Sequence, residues 1–157
     1  MAAGYTHPMN ANGVVVDRVT EVTDELVEVM ARLLPQLSTT AVAPDRAALE
    51  EIVASDTSAL FVARLAPGGA IVGSITLLVY RIPSGVHAVV EDVVVDKSAR
   101  GHGVGASMLD EVIQLAQRRG ARHLNLTSRS SREAANRLYK RAGFVIRDTN
   151  VYRLNLS

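Results

Sequence analysis

Val93-Val94-Val95-Asp96-Lys97-Ser98-Ala99-Arg100-Gly101-His102-Gly103-Val104-Gly105-Ala106 is the stretch on which the fold turns. An apolar run, His87 to Asp96, ends at a loop with three glycines in five positions, and a run with helical spacing continues to near Gly120. Glycine reaches positive φ without a Cβ penalty and lets bare N–H groups approach a ligand. The start of the following helix adds the positive end of its dipole. Strand, glycine loop and helix in this order predict an anion site.

Working outward, Val104, Met108, Leu109, Val112, Ile113, Leu115 and Ala116 make a broad apolar helix face, and Gly120 suits the position just past its end. Arg122 to Thr127 reads as a strand parallel to His87–Asp96, reached by a right-handed crossover. Ser130 and Glu133 have the spacing of a capping box for a last helix to Ala142, stopped by Gly143, and Phe144–Arg147 and Asn150–Leu156 read as two closing strands. Upstream, Ala59–Leu65 and Ala70–Tyr80 flank Ala66-Pro67-Gly68-Gly69, a hairpin signal, and Pro83-Ser84-Gly85 turns the chain into His87–Asp96. Earlier still come a strand over Gly13–Val19, a helix from Thr23 to Pro35 and a second helix capped by Asp45. Residues 1–12 are expected to be flexible.

The chain has 157 residues, 48% of them hydrophobic, enough for one domain with a packed core. A formal net charge of +1 gives no general electrostatic case for nucleic acid. With no cysteine there is no disulfide, thiolate metal site or cysteine nucleophile, and four scattered histidines do not suggest a metal centre. Apolar runs stop short of a membrane span, so a cytoplasmic protein is expected.

Three loop types compete for the glycines. A nucleotide P-loop needs Gly-Lys-Ser/Thr, and no such lysine follows. Gly101, Gly103 and Ala106 fit the dinucleotide pattern G-x-G-x-x-A, but too little chain follows Thr127 to complete a doubly wound fold. Arg100, Gly103 and Gly105 spell R-x-x-G-x-G between strand and helix. This resembles the acetyl-coenzyme A pyrophosphate loop of the GNAT N-acetyltransferase superfamily, and the resemblance extends through Asn136-Arg137-Leu138-Tyr139-Lys140-Arg141-Ala142-Gly143-Phe144.

The resemblance implies an α+β (α/β) GNAT fold. Its sheet is mixed but mostly antiparallel, with six to seven strands, a splayed parallel pair and about four flanking helices, all in a single domain over residues 1–157. It implies that Arg100, Gly101, His102, Gly103, Val104, Gly105 and Ala106 hold the pyrophosphate of acetyl-CoA, and that the backbone along Val93, Val94 and Val95 holds pantetheine. No metal is expected. The acceptor would be a small-molecule or peptide amine, with neither nucleic acid nor membrane as partner. A homodimer through the C-terminal strands is common in this family.

Acetyl transfer to an amine needs a deprotonated amine and a proton for the departing thiolate. By its place in the motif, Tyr139 is the candidate acid; its ordinary pKa of about 10 keeps it protonated at neutral pH. Many family members carry asparagine seven residues before this tyrosine, where Arg132 stands here; Asn136, three before it, is assigned to coenzyme binding and Arg132 to a phosphate contact. A glutamate base found on the strand after the loop helix in some members is replaced by Thr127. The remaining base candidates are Glu91, Asp92 and His87, with Glu91 favoured, acting through water. Adjacent strand residues face opposite ways, so Glu91 and Asp92 do not form a pair unless a bulge intervenes. The alternative is a non-catalytic acyl-CoA sensor of the same fold.

Overall fold

The computed structural model describes residues 11–157, so all but the last two residues of the expected flexible start lie outside the described residues. The chain divides into two compact units, one running to Thr127 and the other from Ser128 to Ser157.

The first unit carries one sheet in the order β1-β2-β3-β4-β5. Its strands are β1 (Val15–Arg18), β2 (Ser58–Arg64), β3 (Ile71–Ile82), β4 (Gly85–Val95) and β5 (Leu124–Asn125). Neighbours are antiparallel except β4 and β5, which are parallel. Its helices are α1 (Asp24–Leu37), α2 (Arg46–Ala54) and α3 (Val104–Arg118).

Helix starts follow the capping residues. The Thr23 Oγ1 accepts the Leu26 N–H at 3.2 Å, and an Asp45 carboxylate oxygen accepts the Ala48 N–H at 2.9 Å. Helix α1 runs two residues past Pro35, where the sequence suggested a stop. Proline restricts the residue before it but does not oblige the chain to leave the helix at once, and the Ser38 N–H closes the last turn on the Leu34 carbonyl. Helix α3 ends at Arg118 with Arg119 as its C-cap: the Gly120 N–H reaches the Gln117 carbonyl and the Ala121 N–H the Ala116 carbonyl, a Schellman stop that uses φ +80° at Gly120.

Ala59 to Ala63 are all buried, so β2 is covered on both faces. Leu60 and Val62 join Leu26, Val29, Met30, Leu33 and Leu49 in one core cluster. On the other face, a Cβ added at Gly73 would lie 2.8 Å from Val104 Cγ1 and 3.2 Å from the Met108 Sδ and Cε. The missing side chain lets the first turn of α3 settle directly onto β3.

The second unit holds α4 (Glu133–Arg141). Its N-cap is Arg132, without a side-chain cap, rather than the Ser130 of the expected capping box. The two closing strands do not form: no strand is found beyond β5, so the sheet has five strands among the described residues instead of six to seven. Val145, Ile146, Val151, Tyr152, Leu154 and Leu156 are 74–91% exposed. Strand propensity registers only where a neighbour pairs the backbone, and here none does.

Candidate functional site

The loop after β4 has the conformation its glycines foretold. Gly101 has φ +81° and Gly103 φ +77°, while Gly105 is buried inside α3. Unlike α1 and α2, α3 starts from a glycine with no side-chain cap. The first N–H groups of a helix have no partner within it, so an anion can take the place of the missing cap. Behind the loop, the Ser107 Oγ donates to the Gly103 carbonyl at 2.9 Å, and His102 Nδ1 donates to the Ala99 and Arg100 carbonyls at 3.2 and 3.1 Å. Arg100 is exposed at the loop's entrance.

The loop adjoins an open strand edge. β5 pairs with β4 only at Ala88↔Leu124 and Val89↔Asn125, and no other strand among the described residues pairs with that edge as far as Val95. The parallel pair is therefore splayed. The Asp96 N–H bonds the Val72 carbonyl at 2.7 Å, toward β3. Backbone groups alternate between the edges of an extended strand, so those of Val95 face the open side. Val94 is buried and contributes its side chain to the core cluster. Val93 lies two residues before Val95, within a bulge.

That bulge occupies the position of the acidic pair. Ser74 stands opposite Val94 and Thr76 opposite Glu91, leaving Asp92 and Val93 across from Ile75 alone. Asp92 has φ +49°, the one positive φ outside glycine among the described residues. Aspartate tolerates this region better than most side chains, and such outliers gather where strand geometry is redirected. Strict alternation fails here: Glu91 and Asp92 are both exposed. His87 lies elsewhere. Its Nε2 is 2.9 Å from the Ser84 Oγ, its ring stacks on Tyr80 at 5.9 Å, and it lines a shallow pocket with Arg122 and His123. At about 3.3 Å per residue, eight strand residues put it roughly 25 Å along β4 from Val95. The structure thus separates His87 from the loop.

In the second unit, Tyr139 is 7% exposed, and burial raises its pKa above the ordinary 10.0, against a smaller opposing effect of the Arg132 charge. The helix stop fixes it. The Phe144 N–H bonds the Tyr139 carbonyl at 3.0 Å, the Gly143 N–H bonds the Lys140 carbonyl at 3.1 Å, and Gly143 has φ +98°. This is a Schellman motif whose apolar contact is the edge-to-face pair Tyr139–Phe144, with ring centres 6.1 Å apart. Asn136 Nδ2 donates to the Arg129 carbonyl at 2.9 Å, so one of its donors is spent on tying down the approach to α4. Arg132 is exposed.

Residues that the sequence did not single out frame the loop from behind. Asp96 is 6% exposed and paired with Arg32 of α1. The aspartate at the end of the valine run was visible, but its partner 64 positions earlier had no local signal.

Among the described residues no helix is long and apolar enough to cross a membrane, and no group of three or more histidines and carboxylates could hold a metal ion.

The sequence matches the Acetyltransferase (GNAT) family over residues 24–144. No curated protein matches it at a significant level. Among solved structures, an aminoglycoside acetyltransferase, meta-AAC0020 from an uncultured soil metagenomic sample, in complex with trehalose, aligns with a TM-score of 0.78 and 19% identity over 94% of this chain and 98% of that one. A transcriptional regulator from Bacillus halodurans C-125 gives 0.76 and 24% over 90% and 99%. AAC(6')-Iy in complex with the bisubstrate analog CoA-S-monomethyl-acetylneamine gives 0.71 and 19% over 92% and 99%. At these identities the likenesses establish the fold.

Proposed function

Because the chain belongs to the GNAT acetyltransferase family, we propose that it moves the acetyl group of acetyl-CoA to a primary amine, directly, with both substrates bound together. The observation that carries this reading is the uncapped start of α3 joined to the open edge of β4. Anion-binding N–H groups lie beside strand backbone without a partner strand, which suits a donor that is a pyrophosphate at one end and an amide-bearing chain at the other. The matched stretch crosses the boundary at Thr127, which supports treating the two units as one catalytic domain.

In this reading Arg100 and the N–H groups of Gly101 to Ala106 hold the pyrophosphate, and Val93 and Val95 pair with the pantetheine amides. Acetyl-CoA supplies the activated acyl group as its thioester. Tyr139, kept protonated by burial, delivers a proton to the departing sulfur. Glu91, exposed beside the bulge, accepts the ammonium proton through water. Asn136 retains its amide oxygen and one N–H for the coenzyme, with Arg132 as a phosphate contact. The chain has no cysteine to carry the acyl group, which favours direct transfer.

A thiol-release assay with acetyl-CoA and a panel of amines, sisomicin-like aminoglycosides and peptide amines included, tests the reading. Release dependent on one amine class, with initial-rate lines that intersect rather than run parallel, is the expected result. Tight binding of acetyl-CoA without release on any amine would refute it in favour of the sensor.

A further inference from the structure

We infer that Asp96, clasped by Arg32, is a positioning residue for the donor loop; this rests on the proposed pyrophosphate role of Arg100 to Ala106. Asp96 is the last residue before the turn that leads into the loop, and each of its polar groups is engaged. Its N–H and carbonyl bond Val72 and Ala99 at 2.7 and 2.9 Å. One carboxylate oxygen accepts the Ser98 N–H and Oγ at 3.0 and 2.9 Å, and the other accepts Arg32 Nη1.

Arg32 spans two elements, since its Nη2 donates to the Ile71 carbonyl at 3.0 Å at the start of β3. One helical turn later, Gln36 Oε1 accepts the Lys97 N–H at 3.0 Å. Residues four apart lie on one helix face, so α1 grips the turn at two successive residues, Asp96 and Lys97. Ala99, fully buried, closes the turn just before Arg100. The segment entering the glycines is therefore anchored to α1 and β3. The glycines, free in φ, would not by themselves hold their N–H groups in one arrangement.

The clasp is charged, and this gives it a signature. Removing Arg32 leaves the buried carboxylate with the Ser98 hydrogen bonds but without its countercharge, just upstream of the proposed anion site, whereas removing the carboxylate's charge as well relieves that repulsion. A purely structural pair would show no such dependence on the donor's phosphates.

The test compares kcat/KM for acetyl-CoA with that for S-acetylpantetheine, which lacks the pyrophosphate, in the full chain carrying Arg32→Ala, Arg32→Ala with Asp96→Asn, or Gln36→Ala. Arg32→Ala is expected to lower kcat/KM for acetyl-CoA at least tenfold through KM, with kcat and the S-acetylpantetheine value within twofold of wild type. Adding Asp96→Asn should restore threefold or more. Equal losses with both donors, a fall in kcat alone, or no loss at all would overturn the inference. If Arg32→Ala fails to fold, Gln36→Ala carries the test, with a loss of twofold or more confined to acetyl-CoA expected and an equal loss on both donors contradicting it. A wild-type protein that binds neither donor would refute the proposed function itself, whereas normal wild-type turnover with unaffected variants would refute the clasp alone.

Discussion

Replacing Gly101 by alanine isolates the backbone requirement of the loop. A Cβ at Gly101 meets nothing within 4 Å, so its φ of +81° is the only obstacle. Holding an L-residue in the left-handed region costs roughly 1–2 kcal/mol. If donor binding requires that conformation, the cost reappears as weaker binding, and since about 1.4 kcal/mol is a factor of ten, the Kd for acetyl-CoA should rise about five- to thirty-fold. Gly68 is the matched control. It has φ +71° in the β2–β3 turn and is equally open, so Gly68→Ala carries the same local backbone penalty and should leave acetyl-CoA binding unchanged. Calorimetric titration of both variants, with thermal melts alongside, decides the matter. An unchanged Kd for Gly101→Ala, or equal weakening in both variants, would refute the loop's role in binding the donor.

Tyr139→Phe should reduce kcat by about a hundredfold or more with little change in acetyl-CoA affinity. Burial raises the phenol pKa, so the protonated acid persists until the pH rises past 10.0, and the alkaline fall in wild-type kcat should lie above that value and vanish in the variant. Gly73→Ala would press a methyl to within 2.8 Å of Val104, and overpacking of about 1–3 kcal/mol should lower the melting temperature by several degrees. The Glu25 carboxylate is held below its ordinary 4.5, first by its hydrogen bond from Arg64. A depressed carboxylate stabilises the fold above its unfolded pKa and loses that contribution as pH falls. Glu25→Gln should therefore cost under about 1 kcal/mol at pH 7, the pair being partly exposed, and the difference should disappear at pH values below the native pKa.

The parts of the fold that could be read in advance are those with a local cause. Thr23 and Asp45 start helices because their oxygens accept nearby N–H groups, and Gly120 and Gly143 stop them because only glycine adopts the left-handed turn without penalty. The strand–loop–helix unit was legible for the same reason. What was not legible depended on distant neighbours. Phe144–Arg147 and Asn150–Leu156 carry strand-forming residues but find no pairing partner among the described residues, and β5 shrinks to Leu124–Asn125, the two residues that pair with β4. The bulge at Asp92 depends on register with β3, and the Arg32–Asp96 pair joins residues separated by one helix, α2, and three strands, β2 to β4. At the candidate loop, the left-handed turns at Gly101 and Gly103 were legible from the glycines themselves. The anchor behind the loop was not.

The most direct measurement is the amide spectrum of the isotope-labelled protein during titration with acetyl-CoA. The largest shifts are predicted at Gly101, Gly103, Val104, Gly105 and Ala106, whose N–H groups would meet the pyrophosphate, and at Val95 on the open edge of β4. Saturable shifts centred on Ser84 to His87, or none at all at millimolar donor, would contradict the account.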